Sequence, residues 1–115
     1  MGLIYHIAYQ RDWAEARSVG RYTVSTRGVS LSDQGFIHAS TAGQVADAAN
    51  QFYAGEDDLI VLVINERLLE APVRYEQVGD GDDVFPHIYG ALNVDAVLDT
   101  RPLQPGARGT FSFAP

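Results

Sequence analysis

Short apolar runs separated by polar, glycine-rich segments recur along this chain, and they predict a fold built mainly from β-strands. The run LIVLVI at 59–64 is uniformly apolar, which is typical of a central strand buried on both faces. The run LIYHIAY at 3–9 is aromatic and β-branched, and its alternating side chains divide between two faces. Four further segments are expected to form strands: GFIH at 35–38, VRYEQV at 73–78, AVLDTRPL at 96–103 and GTFSF at 109–113.

Proline and clusters of small polar residues mark the expected loops. The segment VFPHIYGAL at 84–92 contains Pro86, which would interrupt an interior strand, so we expect this segment at a sheet edge or in a loop. Residues 21–34 are rich in serine, threonine and glycine, and they predict a loop with at most one short turn or strand.

Two helices are predicted, and both fall in the first half of the chain. Asp12 is expected to cap the first, in QRDWAEARSV at 10–19, and Gly20 to end it. Thr41 and Gln44 have the spacing of a capping box and predict the start of the second helix. Its apolar side chains recur at helical spacing, at Val45, Ala49 and Phe52.

Helices early in the chain and strands late in it indicate an α+β fold rather than repeated βαβ units. We therefore expect a single domain over residues 1–115, with small split sheets that are antiparallel or mixed.

Composition and charge narrow the partners that this chain can bind. Its formal net charge of −7 disfavours nucleic acid and anionic membrane surfaces, since both attract cationic proteins. The absence of cysteine excludes disulfides, thiol catalysis and cysteine-ligated zinc. No run approaches the roughly 20 apolar residues of a membrane span, and no signal-peptide pattern opens the chain. We expect a cytoplasmic protein that is a monomer or a weak homodimer.

Each of the three histidines lies in an apolar, aromatic segment: His6 in LIYHIAY, His38 in GFIHAS and His87 in VFPHIYG. One such histidine is usually a packed core residue, but three in separate segments suggest a shared site. His38 directly precedes the second predicted helix, whose N-terminal amides attract anions. Because Ser40 and Thr41 add hydroxyl donors beside it, a phosphate-sized pocket is a reasonable hypothesis.

Other chemistry has weaker support in the sequence. The three histidines could converge on a zinc ion, but none of the common spacings of histidine ligands occurs, so this alternative depends entirely on the fold. The acidic pairs at 57–58 and 82–83 are typical of solvated loops. Glu76 lies on an alternating strand and faces either a cleft or water.

Three segments together resemble the signature of a known family: IYHIA at 4–8, GFIHAST at 35–41 and FPHIYGALN at 85–93. They are similar to segments of the DUF952 family of uncharacterised small bacterial proteins, and the resemblance covers essentially the whole chain. That family in turn resembles the ADP-ribosyltransferase fold, in which a pair of small sheets clasps NAD.

The second resemblance can be followed residue by residue. NAD-binding RNA 2′-phosphotransferases carry an L-Y-H-G-T segment on an early strand, where this chain has IYHIA. They also carry a V-H-L-S segment before a helix, where this chain has IHAS at 37–40. The resemblance implies that His6 and His38 face a nucleotide-sized cleft. The glycine and threonine after the first histidine are Ile7 and Ala8 here, which favours a binding module without the chemistry.

These observations lead to one main hypothesis and two alternatives. The main hypothesis is an enzyme that transfers an ADP-ribosyl or glycosyl group from NAD or a related dinucleotide. The alternatives are a non-catalytic ligand-binding module of the same fold and a three-histidine metal-dependent hydrolase. The expected catalytic residues are His6, His38 and His87, and the expected residues that bind the nucleotide-type ligand are Tyr5, Ser40, Thr41 and Tyr89.

Overall fold

The structure is a computed structural model that describes residues 2–115, and short strands are the commonest regular element in it. In chain order the strands are β1 (Leu3–Tyr9), β2 (Arg21–Tyr22), β3 (Ile37–His38), β4 (Leu59–Asn65), β5 (Val73–Gln77), β6 (Val84–Ile88), β7 (Leu92–Asn93) and β8 (Val97–Leu103). The helices are α1 (Gln10–Val19), α2 (Leu31–Gln34) and α3 (Val45–Phe52). Short 3-10 turns occupy Ala42–Gln44, Glu66–Leu68 and Val94–Ala96.

Within the described residues the strands form three small sheets, in the orders β1–β4–β8, β3–β6–β5 and β2–β7, and every pairing is antiparallel. All three α-helices lie before residue 53. The predicted α+β class with small antiparallel sheets is therefore confirmed. None of the helices in the part of the chain that the structure describes has the length and apolar character needed to cross a bilayer.

The apolar run at 59–64 is the central strand of the largest sheet, as its pattern predicts. β4 pairs with β1 on one side and β8 on the other, and both of its faces are buried. The predicted alternation of β1 is also confirmed, because Tyr5 and Ile7 pack into one hydrophobic cluster with α3, whereas Ile4 and Ala8 pack into a second. The sheet therefore separates two cores, and the second core lies against the sheet that carries two of the histidines.

Pro86 lies in the middle strand of sheet β3–β6–β5, so its predicted place at an edge or in a loop is wrong. The carbonyl of Pro86 accepts a hydrogen bond of 2.9 Å from Ala39 N–H. Because N–H and C=O of one residue point to the same side of a strand, the proline nitrogen also faces Ala39, just beyond the end of β3. The missing N–H of Pro86 therefore removes only the last hydrogen bond between β3 and β6.

Three other local predictions need correction. GTFSF at 109–113 forms no strand, although Phe111 packs in the core. The expected loop at 21–34 contains β2 and α2, and β2 pairs with the equally short β7. Asp12 lies in the first turn of α1 rather than at its cap, whereas Gly20 does end the helix in a left-handed conformation.

Gly90 follows β6 where the chain passes close to Ala71. A Cβ at this position would lie 2.8 Å from Ala71 Cβ, which is well inside van der Waals contact. We therefore expect Gly90→Ala to lower the free energy of unfolding by roughly 1–3 kcal/mol, measured by urea denaturation. Gly43→Ala is the matched control because a Cβ added there would meet no other atom within 4 Å. Equal stabilities of the two variants would contradict the close packing at Gly90.

Candidate functional site

One face of sheet β3–β6–β5 gathers polar and aromatic side chains. His38 lies directly opposite His87 in the register of β3 and β6, and alternate residues of paired strands share a face. The intervening residues Ile37 and Ile88 are fully buried in the core behind the sheet. We call the outward side the histidine face. It comprises Phe36, His38, Arg74, Glu76, Phe85, His87 and Tyr89.

The two imidazole rings of the histidine face are neighbours, with their centroids 5.4 Å apart. Phe36 stacks on His87 at 4.0 Å and an interplanar angle of 16°, while Phe52 and Phe85 contact His38. His87 is only 2% exposed. The Nε2 atoms of His38 and His87 are both buried, and neither has a hydrogen-bond partner within residues 2–115.

Glu76 orients His87 from the neighbouring strand. Glu76 Oε1 accepts hydrogen bonds from Tyr89 Oη at 2.5 Å and from His87 Nδ1 at 2.8 Å. The bonds from Tyr89 and His87 lower the pKa of Glu76, and the same carboxylate raises the pKa of Tyr89. The guanidinium of Arg74 lies 5.1 Å from the centre of the Tyr89 ring. The alternating pattern of β5 left the direction of Glu76 open, and the structure places it on the histidine face.

His6 is bonded to the protein through both ring nitrogens. Its Nδ1–H donates to the carbonyl of His38 at 2.6 Å, so its Nε2 accepts from Tyr22 Oη at 3.0 Å. Burial lowers the pKa of His6 to about 4, so the ring is neutral at physiological pH. This geometry connects β1, β2 and β3 and leaves no ring nitrogen for a ligand. We therefore assign His6 a structural role instead of the predicted catalytic one.

A small cavity of about 10 Å³ lies beside His38 and has room for about one water molecule. Ser25 and Ser40 are both buried here, and Ser25 Oγ accepts a 3.2 Å hydrogen bond from His38 N–H. Among the predicted ligand-binding residues, Ser40 therefore does lie beside His38. The cavity is lined by His6, Ile7, Ser25, Thr26, His38, Ser40, Ala48, Phe52 and Tyr53.

Two of the predicted binding residues lie away from this site. The Tyr5 side chain packs edge-on against Phe113 in the other core, and only its main chain bonds to Ser40. Thr41 is exposed and caps the following turn. Its predicted capping box with Gln44 is confirmed. The fourth predicted binding residue, Tyr89, is part of the histidine face.

A loop at 24–30, which we call the strap, contributes Ser25 and Thr26 to the lining of the cavity. Arg27 attaches it to the end of α3, because its N–H donates to Tyr53 Oη at 2.7 Å and its guanidinium to the Phe52 carbonyl at 3.3 Å. The guanidinium also pairs with Glu56 at 2.8 Å. Arg27 has a φ of +40°, a conformation that costs energy for a residue other than glycine.

Two other types of site find little support. In the part of the chain that the structure describes, no group of three or more histidine, aspartate or glutamate side chains is arranged to hold a metal ion. Both His6 nitrogens are already bonded to the protein, so His6 has no free nitrogen for the three-histidine metal site. A wider surface groove of about 580 Å³ is lined partly by Asp57, Asp58 and Thr100, and its lining includes no histidine or aromatic ring.

Comparison with known proteins confirms the family. The family described as "Protein of unknown function (DUF952)" matches residues 7–100, so this chain belongs to the DUF952 family. It is similar to the crystal structure of protein CC0527 from Caulobacter crescentus, with 29% identity, a TM-score of 0.82 and coverage of 96% of this chain and 93% of that one. The solution NMR structure of CC0527 has 32% identity, a TM-score of 0.76 and coverage of 96% and 91%. No curated protein matches the sequence.

Proposed function

We propose that this chain binds a nucleotide-type small molecule between the histidine face and the strap. The observation that carries the proposal is the pair of Nε2 atoms on His38 and His87, which are buried on paired strands without a protein partner. Buried polar atoms are nearly always hydrogen-bonded. Two unpartnered nitrogens on residues that lie opposite each other in paired strands are therefore well suited to hydrogen-bond with polar groups of a ligand.

The surroundings of the two imidazoles favour a flat, partly polar ligand. The rings of Phe36, Phe52 and Phe85 offer stacking surfaces to a planar base. Arg74, at the exposed rim of the histidine face, offers a cation to a phosphate. The net charge of −7 disfavours a polymeric nucleic acid and is compatible with a ligand that carries only a few charges.

A ligand of this size requires the strap to move, because the present cavity has room for about one water molecule. The strap depends on a few contacts of Arg27, and the strained backbone of that residue favours release. The ion pair between Arg27 and Glu56 is partly exposed, and such pairs contribute little stability. Opening at the strap would bring His38 and Ser40 into contact with solvent.

We further propose that the fold is ADP-ribosyltransferase-like, with NAD as the candidate dinucleotide and ADP-ribosyl or glycosyl transfer as the candidate reaction. The small antiparallel sheets and the contact between the strands that carry His6 and His38 support this assignment. A non-catalytic binding module of the same fold is the second candidate. The bonded state of His6 and the residues Ile7 and Ala8 after it favour this alternative.

The experiment is a thermal-shift titration with NAD, ADP-ribose and AMP, with nicotinamide release measured in parallel. We expect at least one of these compounds to raise the melting temperature, and we expect His38→Ala to weaken its binding at least tenfold because the ligand loses a ring nitrogen. Asp57→Ala, in the wider groove, is the control and should bind as the unmodified chain does.

The outcomes separate the candidates. Stabilisation by NAD together with nicotinamide release supports transfer chemistry, whereas stabilisation without release supports the binding module. Binding that is lost in Asp57→Ala but retained in His38→Ala would place the ligand in the groove and contradict the site. No stabilisation by any of the three compounds at millimolar concentration would contradict NAD or another adenine nucleotide as the ligand.

A further inference from the structure

We propose that Glu76 holds His87 in the tautomer with its proton on Nδ1, so that Nε2 is a fixed, buried acceptor for an N–H group of the ligand. The neighbouring His38 then supplies a donor to an adjacent carbonyl oxygen. This inference rests on the proposed ligand site and names the chemistry that the site would select: a flat ring system with N–H beside C=O, as in an imide, a ring lactam or a carboxamide on an aromatic ring such as that of nicotinamide.

The contacts of Glu76 define the tautomer of His87. A carboxylate can only accept hydrogen bonds, so the 2.8 Å contact requires a proton on His87 Nδ1. Tyr89 Oη donates to the same oxygen at 2.5 Å and keeps the carboxylate in its ionised form. A neutral imidazole with its proton on Nδ1 has a lone pair on Nε2. That atom is the one that is buried without a partner.

His38 has no such orienting carboxylate. Its Nε2 atom has no hydrogen-bond partner within residues 2–115, and its ring contacts those of Phe52, Phe85 and His87. Burial, followed by the nearby His87, lowers the pKa of His38 to about 4, so it carries one proton at neutral pH. Either nitrogen of His38 can carry that proton, and Nε2–H is the tautomer that complements the acceptor on His87.

The stacking of Phe36 on His87 indicates how a ligand would lie. The two rings are nearly parallel, at 16° and 4.0 Å, so the histidine face already accommodates a flat ring against the imidazole. A ligand that enters beneath the strap meets the His38 ring first, because His38 lines the cavity there. We expect an in-plane edge of donor and acceptor atoms to continue from His38 to the paired His87 ring, whose centroid lies 5.4 Å away.

The first test is independent of any ligand. Long-range ¹H–¹⁵N NMR spectra of the uniformly ¹⁵N-labelled chain at pH 7 report which ring nitrogen of each histidine is protonated. We expect His87 to be protonated on Nδ1 and unprotonated on Nε2. Glu76→Ala should move a substantial share of His87 to the Nε2–H tautomer. Glu66→Ala is the matched control, because Glu66 accepts a similar 2.6 Å bond from Tyr75 elsewhere on β5.

Unmodified protein with its proton on His87 Nε2, or a Glu76→Ala variant with an unchanged tautomer, would overturn the role of Glu76. A change of tautomer in Glu66→Ala of the same size would do so as well, because the effect would then be general to the sheet.

The second test uses a matched pair of probes, 1-methyluracil and 1,3-dimethyluracil, which have similar shapes but differ in one N–H. We expect 1-methyluracil to shift the His87 Nε2 resonance at millimolar concentration and 1,3-dimethyluracil to have at least a fivefold weaker effect. Equal effects of the two probes, or no effect of either, would overturn the assigned ligand class. If a nucleotide stabilises the protein but leaves His87 Nε2 unchanged, this inference fails while the proposed function stands.

Discussion

Replacing His6 by alanine is expected to lower the free energy of unfolding by roughly 3–5 kcal/mol, because it combines a core cavity with two lost hydrogen bonds. The ring is 2% exposed, and its bonds to the His38 carbonyl and to Tyr22 Oη join three strands. Both partners remain buried after the substitution. The loss of stability should exceed that from alanine at His38 or His87, because neither of those rings in the described chain has both nitrogens bonded to the protein.

Tyr22→Phe is the control for this prediction. It removes one of the two bonds, preserves most of the packing, and should cost about 1–3 kcal/mol. Urea denaturation followed by the fluorescence of Trp13 reports on this region, because its ring lies 6.4 Å from that of Tyr22. If His6→Ala unfolds as readily as Tyr22→Phe, the bond to His38 contributes little and the structural role assigned to His6 is wrong.

Acidification from pH 6.5 towards pH 4 should destabilise the protein because two buried histidines resist protonation. The folded-state pKa values of His6 and His38 lie near 4, below the ordinary value of 6.5, and burial is the main cause for both. Between those pH values the unfolded chain binds more protons than the folded one. The stability from each ring is therefore fully present above pH 6.5 and is lost as the pH falls towards 4, by on the order of 3 kcal/mol in total per ring.

Urea midpoints at pH 7, 6 and 5 measure this dependence. The range from pH 7 to pH 5 reports on the histidines. Hydrogen bonds lower the pKa values of Glu56 and Glu76, so these carboxylates lose their contribution to the free energy of unfolding only below about pH 4.5. His38→Gln should roughly halve the slope, because His6 alone remains. A stability that is constant from pH 7 to pH 5 would show that the two imidazoles are accessible to protons in the folded state.

Local sequence patterns predicted the elements that depend on local physics. The uniform apolar run of β4, the alternation of β1 and the capping box before α3 were all recognisable, because burial and backbone capping determine those residue types directly. β2 and β7 have two residues each, too few to produce a periodicity. The prediction for Pro86 is wrong because the sheet tolerates a proline only where the partner strand ends. The end of β3 is not visible in the sequence around Pro86.

The candidate site was only partly predictable for the same reason. The aromatic segments around His38 and His87 predict both as site residues. Their direct pairing, however, depends on the register of two strands almost fifty positions apart. Glu76 and Phe36 join them through that register as well. His6 occurs in a segment of the same character, yet its ring turns to Tyr22, and no local pattern distinguishes these two outcomes.

The position of β4 between β1 and β8 has a consequence for synthesis on the ribosome. β1 pairs along its whole length with β4, from Leu3 with Asn65 to Tyr9 with Leu59. β1 is translated before β4, so it stays without this partner until residues 59–65 have also emerged. Such long-range pairing slows folding. The segment LIYHIAY is apolar and aromatic, so we expect it to need chaperone protection during this interval.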